Sequence, residues 1–124
     1  MTHYLIDTCI FIDFFRGNKK AVQFLEELET PPFVSALTVA ELYAGVREGK
    51  ERALLDKLVQ HFLVIPLDNE AAIKGGLYRR QYGKSYGVGI VDALLASSAE
   101  CKNLTLATRN VKHFPMIEGV YCPY

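Results

Sequence analysis

Three acids stand at positions from which a chain of 124 residues could do chemistry. Asp7 directly follows the apolar run Tyr4-Leu5-Ile6, Glu41 follows Thr38-Val39-Ala40, and Asp92 leads into Ala93-Leu94-Leu95-Ala96. Each has an ordinary local explanation. A loop aspartate makes an Asx turn or caps the next helix. Thr38 and Glu41 have the spacing of a capping box, which for Glu41 alone is the favoured reading. An acid in a helix's first turn gains about 0.3–1 kcal/mol from the macrodipole, which suffices for Asp92 alone.

Taken together, the acids point further. Carboxylates about 4 Å apart repel by about 4 kcal/mol at an effective dielectric near 20, so a shared site needs a cation or raised pKa values. Mg²⁺ prefers such oxygen clusters, and a metal there polarises a phosphoryl oxygen and acidifies water for in-line attack. Thr8 puts a hydroxyl beside Asp7, and Thr108-Arg109-Asn110 supplies polar groups after a later apolar run.

The elements that must position these residues read as alternating strands and helices. Residues 3–7 form the first strand, Phe11 to Phe15 a short helix stopped by Gly17, and Lys19 to Glu29 a helix capped by Asn18 and halted by Pro31-Pro32. Phe33 to Ala36 is a second strand, and Thr38 opens a helix carrying Val39, Leu42, Tyr43 and Val46 on one side. A helix through Leu54, Leu55, Leu58 and Val59 precedes the strand Phe62 to Ile65, which Pro66 closes. Asp68 caps a helix over 69–82 that turns Ile73, Leu77 and Tyr78 inward and Lys74, Arg79 and Arg80 outward. Tyr82 to Gly89 is a glycine-rich loop, Ile90 to Lys102 a helix, Leu104 to Ala107 a fourth strand, and Val120-Tyr121 a short last one. This order implies one domain over residues 1–124, with a mostly parallel sheet covered by helices on both faces. Residues after the strands then gather on one sheet edge, which makes Asp7 and Asn110 neighbours.

Half of the residues are hydrophobic, 23% are charged, and the formal net charge is zero. The chain is therefore globular, and any affinity for nucleic acid must come from a local patch. Neutrality leaves self-association easy. No apolar run reaches the roughly 18 residues of a membrane helix, and Asp7 interrupts any signal-like stretch, so the expected compartment is the cytoplasm. Cys9, Cys101 and Cys122 have neither a CxxC nor a disulfide-rich spacing, which argues against zinc.

Four segments, in order, resemble the landmarks of PIN-domain ribonucleases, and of their VapC-type toxins in particular. They are Leu5-Ile6-Asp7-Thr8, the run Ser35 to Gly45, Val91-Asp92-Ala93-Leu94-Leu95-Ala96, and the run Leu106 to Phe114. The resemblance spans essentially the whole chain. It implies a three-layer α/β/α domain and a Mg²⁺- or Mn²⁺-dependent endoribonuclease that is held inactive by an antitoxin and forms a homodimer. It carries over to Asp7, Glu41 and Asp92 as the acidic triad, with Asp7 and Asp92 as metal ligands. Thr108 and Asn110 match the polar positions after the last core strand. Many relatives carry a fourth acid at the position of Asn110 or of His113; with neither acid here, one metal is expected. Asn110 offers a neutral carbonyl instead. His113 either meets a phosphate or leaving group or, as the favoured reading, steadies the turn before Phe114-Pro115.

The mechanism expected has Asp7 and Asp92 holding the cation, Glu41 orienting its water, and no protein nucleophile. Arg79, Arg80 and Lys84, with Tyr78, Tyr82 and Tyr86, form either a strip for single-stranded RNA or a merely solvated helix face. Ile12, Phe14, Phe15 and the helix from Val39 to Val46 offer apolar surface to an antitoxin helix, or serve the core. Gly83-Lys84-Ser85 looks like the end of a P-loop but lacks its first glycine, because Tyr78 stands there. The alternatives are a PIN-fold binding module without catalysis and, less favoured, a phospho-acceptor signalling domain, whose middle-strand aspartate would have to be Asp68.

Overall fold

The computed structural model describes residues 2–124. Its strands are β1 (Tyr4–Ile6), β2 (Phe33–Ser35), β3 (Leu63–Ile65) and β4 (Thr105–Ala107), all parallel in the order β3-β2-β1-β4. Helices α1 (Thr8–Phe15) and α2 (Lys19–Glu26) lie between β1 and β2, and α3 (Ala36–Gly45) and α4 (Lys50–Val59) between β2 and β3. Helices α5 (Asn69–Tyr86) and α6 (Ile90–Cys101) lie between β3 and β4. The chain builds outward from β1 to β3 and then returns to lay β4 on the other side of β1. The crevice beside β1 is thus the switch point at which open α/β sheets hold ligands.

Strand alternation sorts the core into two halves, because successive side chains point to opposite sheet faces. Leu5 and Leu106 pack with Leu95, Ala96 and Ala99 of α6, whereas Ile6, Val34 and Ala107 pack with Ile10, Phe11, Leu42 and Leu55 of α1, α3 and α4. Helices therefore cover both faces, as a three-layer α/β/α domain requires. Among the described residues no helix is long and apolar enough to cross a membrane.

Four local expectations are corrected. Helix α1 starts at Thr8 rather than Phe11, because the Asp7 carboxylate caps it. Helix α3 starts at Ala36 and its cap is Ser35, whose Oγ accepts from the Leu37 N–H at 3.1 Å, so Thr38 opens nothing and no capping box exists. Helix α5 continues through Gly83 to Tyr86 and stops only at Gly87, whose φ of +67° is the left-handed geometry that ends helices. The pair Val120-Tyr121 forms no strand; Tyr121 makes a single parallel bridge to Ala107.

The orientation of α5 also differs. Ile73 and Leu77 face outward, 59% and 47% exposed, while Ala71, Gly75 and Tyr78 face α6. The cause is proximity: a Cβ on Gly75 would come within 2.6 Å of Leu94 Cδ2 and 3.1 Å of Leu94 Cα. Helices this close need small residues at the seam, so the large aliphatic residues of α5 are left on the other side. Ser97 sits in the same seam and donates to the Ala71 carbonyl at 2.7 Å.

Candidate active site

Because Ile6 pairs with Ala107 at the last register position, the next residues, Asp7 and Thr108, emerge side by side. Asp7 is buried and fully engaged: Oδ1 accepts from the Thr8 N–H at 2.7 Å and Oδ2 from the Thr108 hydroxyl at 2.7 Å. One carboxylate oxygen of Asp7 thus caps α1, and the other holds the Thr108 hydroxyl. Asn110 contributes its N–H, which donates to Thr108 Oγ1 at 3.0 Å; among the described residues its amide makes no hydrogen bond to the acids.

Glu41 lies on α3 and turns away from its own helix terminus. Its Oε1 accepts from the Thr8 hydroxyl at 2.7 Å, so Thr8 gives its N–H to one acid and its O–H to another. Asp92, in the first turn of α6, completes the set from the opposite face of the sheet. Burial pushes its carboxyl above the usual range and the charge of Asp7 pushes it further; His113 opposes this and Glu41 adds to it. Asp92 therefore feels the charge of both other acids, which come from other elements. His113 ends the turn before Phe114, its backbone N–H donating to the Asn110 carbonyl at 2.9 Å, and its Nδ1 is also 3.3 Å from Asp92 Oδ2, an ion pair when the imidazole is protonated.

Two features were invisible in the sequence pattern. Cys9 lies 3.6 Å from Asp7 Oδ2 and 3.5 Å from Thr108 Oγ1, and its sulfur accepts from the Arg109 N–H at 3.5 Å. Burial first, and then Asp7, raise its pKa, which keeps it a thiol. Asp13, one helical turn on, accepts from Arg109 at 3.2 Å and from the Tyr124 hydroxyl at 2.8 Å, while the Arg109 guanidinium lies 4.8 Å from the centre of the Tyr124 ring. Helix α1 thereby grips the loop that presents Thr108 and Asn110. The available signal was spacing, since Cys9 and Asp13 are i and i+4 on a helix that Asp7 caps.

The site's donors are carboxylate and hydroxyl oxygens, and the raised pKa of Asp92, from burial first and then from Asp7, marks a charge that a cation would stabilise. A hard divalent ion fits this chemistry. Among the described residues no three such side chains are already gathered closely enough to cage one. Arg79, Arg80 and Lys84 lie exposed on the far half of α5 and form no ion pair among the described residues.

Comparison with known proteins gives the family. A family model described as PIN domain matches residues 4–117. Ribonuclease VapC19 of Mycobacterium tuberculosis is 37% identical over 123 residues, covering 97% of this chain and 98% of that protein. Ribonuclease VapC10 of the same organism is 33% identical, covering 97% and 92%. A toxin–antitoxin complex from Klebsiella pneumoniae superposes with a TM-score of 0.84 at 30% identity, over 98% of each chain. Fold and similarity over nearly the full length agree: the chain belongs to the PIN-domain family and is of its VapC type.

Proposed function

We propose that the protein is a Mg²⁺- or Mn²⁺-dependent endoribonuclease, the toxin of a toxin–antitoxin pair, with Asp7, Glu41 and Asp92 as its acids. The observation that carries this reading is the convergence of acids from separate elements: Thr8 bonds both Asp7 and Glu41 at 2.7 Å, and burial first, then Asp7, and in smaller part Glu41 raise the pKa of the Asp92 carboxyl beside them. Relatives named as VapC ribonucleases support RNA as the substrate. Asp7 and Asp92 would hold the cation, which when bound supplies Lewis acidity toward a phosphoryl oxygen and acidifies water. Thr8 and Thr108 fix the two Asp7 oxygens in place. With Oε1 of Glu41 taken by Thr8, its Oε2 receives the proton of the attacking water. His113, when protonated, offers a proton to the leaving oxygen from beside Asp92, and Asn110 lends its amide carbonyl at the rim.

Asp68 does not suit a phospho-acceptor: it caps α5 by accepting from the Ala71 N–H at 2.9 Å, and Lys102 binds its other oxygen at 3.3 Å. The partner's seat is a groove of about 450 Å³ between α1 and α3, lined by Ile12, Phe15, Leu42 and Val46 and reaching Glu41. An antitoxin helix seated there would cover that acid, a reading supported by the toxin–antitoxin neighbour. A homodimer closes on the outward side of α5, at Ile73 and Leu77. The test of the catalytic reading is RNA cleavage by the purified protein with Mg²⁺, with EDTA, and after Asp7→Asn. Cleavage is expected only in the first case; cleavage unchanged by Asp7→Asn would sink the mechanism, and the catalytically silent binding module would take its place.

A further inference from the structure

The chain is neutral overall, yet between Lys74 and Val91 it carries Arg79, Arg80 and Lys84 and no acid. On the same stretch Tyr78, Tyr82 and Tyr86 recur every four residues, with successive ring centres 6.1 Å and 5.6 Å apart. Exposure rises along the row. Tyr78 is anchored by a hydrogen bond to Glu100, Tyr82 is half-buried, and Tyr86 is 62% exposed. Gly83 adds a specific detail: any Cβ there would overlap the Arg79 guanidinium, so the glycine lets that flat cation lie against the helix. At 100° per residue, Arg79, Tyr82, Gly83 and Tyr86 fall within about 100° of the helix circumference. They share one flank, the side on which Ala71 and Gly75 meet α6 nearer the start of the helix, whereas Ile73 and Leu77 lie on the opposite side.

That flank leads to the acids. Helix α5 ends at Tyr86, only Gly87-Val88-Gly89 intervene, and Asp92 stands in the first turn of α6. The row therefore becomes most exposed at the end of α5 nearest Asp92 along the chain.

We infer that the Arg79–Tyr82–Tyr86 flank of α5 is a stacking platform for bases of single-stranded RNA, with the Arg79 guanidinium on that same flank also able to meet a phosphate, that feeds the strand toward Asp92. Aromatic rings and planar guanidinium groups accept any base face, and cations track the backbone. The inference rests on the ribonuclease reading for its substrate class, but its test does not depend on cleavage.

The test uses the full chain carrying Asp7→Asn, and the fluorescence anisotropy of a labelled oligouridine. Tyr86→Ala is expected to weaken binding about tenfold, while Tyr86→Phe preserves it. Gly83→Ala is expected to weaken binding without changing charge, by displacing Arg79. Arg79→Ala should reduce the slope of log K against log salt by about one. Thermal melts confirm that each variant is folded; Tyr86 is exposed, and Gly83→Ala only adds helix propensity. Unchanged affinity in both Tyr86→Ala and Gly83→Ala overturns the platform. So does a change in oligomer mass at constant RNA affinity, which would make the flank a contact between copies. The two readings fail separately. Oligouridine bound through the flank by a protein that cuts no RNA leaves the platform and removes the ribonuclease, whereas RNA cut by a protein whose affinity ignores both variants does the reverse.

Discussion

Burial and the charge of Asp7 both favour the protonated form of Asp92. Its folded pKa lies above its unfolded value, so the cost to folding is absent below the ordinary carboxylate range, grows as pH rises through the shifted interval, and is complete above it. Asp92→Asn is therefore expected to raise the melting temperature of the metal-free protein at neutral pH, with the gain vanishing on acidification. Added Mg²⁺ should stabilise the parent protein and not the variant, since a ligand that binds only the folded state raises its stability. Melts across pH, with and without Mg²⁺, check both. At this scale the sequence was informative about residue type and poor about partners. An acid after a strand is legible, but the Thr8 hydroxyl reaching Glu41 and the His113 ring reaching Asp92 depend on side-chain directions that no local pattern encodes.

Helix termini show why element boundaries misled. Ser35 and Thr38 are both reasonable caps; Ser35 won because β2 pairs with β3 as far as Ser35 itself, which forces the helix to begin at Ala36. Thr38 was left inside the helix, buried, with a hydroxyl that has no partner among the described residues. The two residues should therefore respond in opposite senses. Ser35→Ala is expected to cost about 1 kcal/mol through loss of the cap. Thr38→Val, which removes an unsatisfied polar atom at constant shape, is expected to gain up to about 1 kcal/mol. Denaturant unfolding of the two variants distinguishes this from the capping-box arrangement, in which Thr38→Val would be the costly change. Helix α5 was misread for a different reason: periodicity locates a large apolar stripe, but a close helix pair buries a small one, here Ala71 and Gly75 against Leu94 and Ser97.

At the scale of the whole molecule, the parallel sheet made the meeting of strand ends predictable. Strands running the same way deliver their following residues to one edge, so Asp7 and Thr108 meet although they are 101 positions apart. That rule needs only strand order and direction, which alternating strands and helices supply. What topology does not supply is how copies of the chain meet. Ile73 and Leu77 form exposed apolar surface on α5, and if the homodimer closes there, Ile73→Lys with Leu77→Lys should shift the sedimenting mass toward a monomer while each protomer keeps its fold. A parent mass that is monomeric at every concentration would remove the dimer.

The two rims of the sheet are not equivalent. Beyond β4, Tyr121 takes part in the ladder: its N–H donates to the Leu106 carbonyl and its own carbonyl accepts from the Thr108 N–H, each at 2.9 Å. Beyond β3 no described strand follows, and Leu63 and Val64 are 41% and 44% exposed. A foreign strand thus finds one sealed border and one open, greasy one, the kind from which fibrillar stacking starts. The opening is three residues long and runs into Pro66, which has no N–H to offer an incoming chain. Shortness and that proline together leave an invader too few ladder bonds to hold, so the chain can keep an apolar border without polymerising along it.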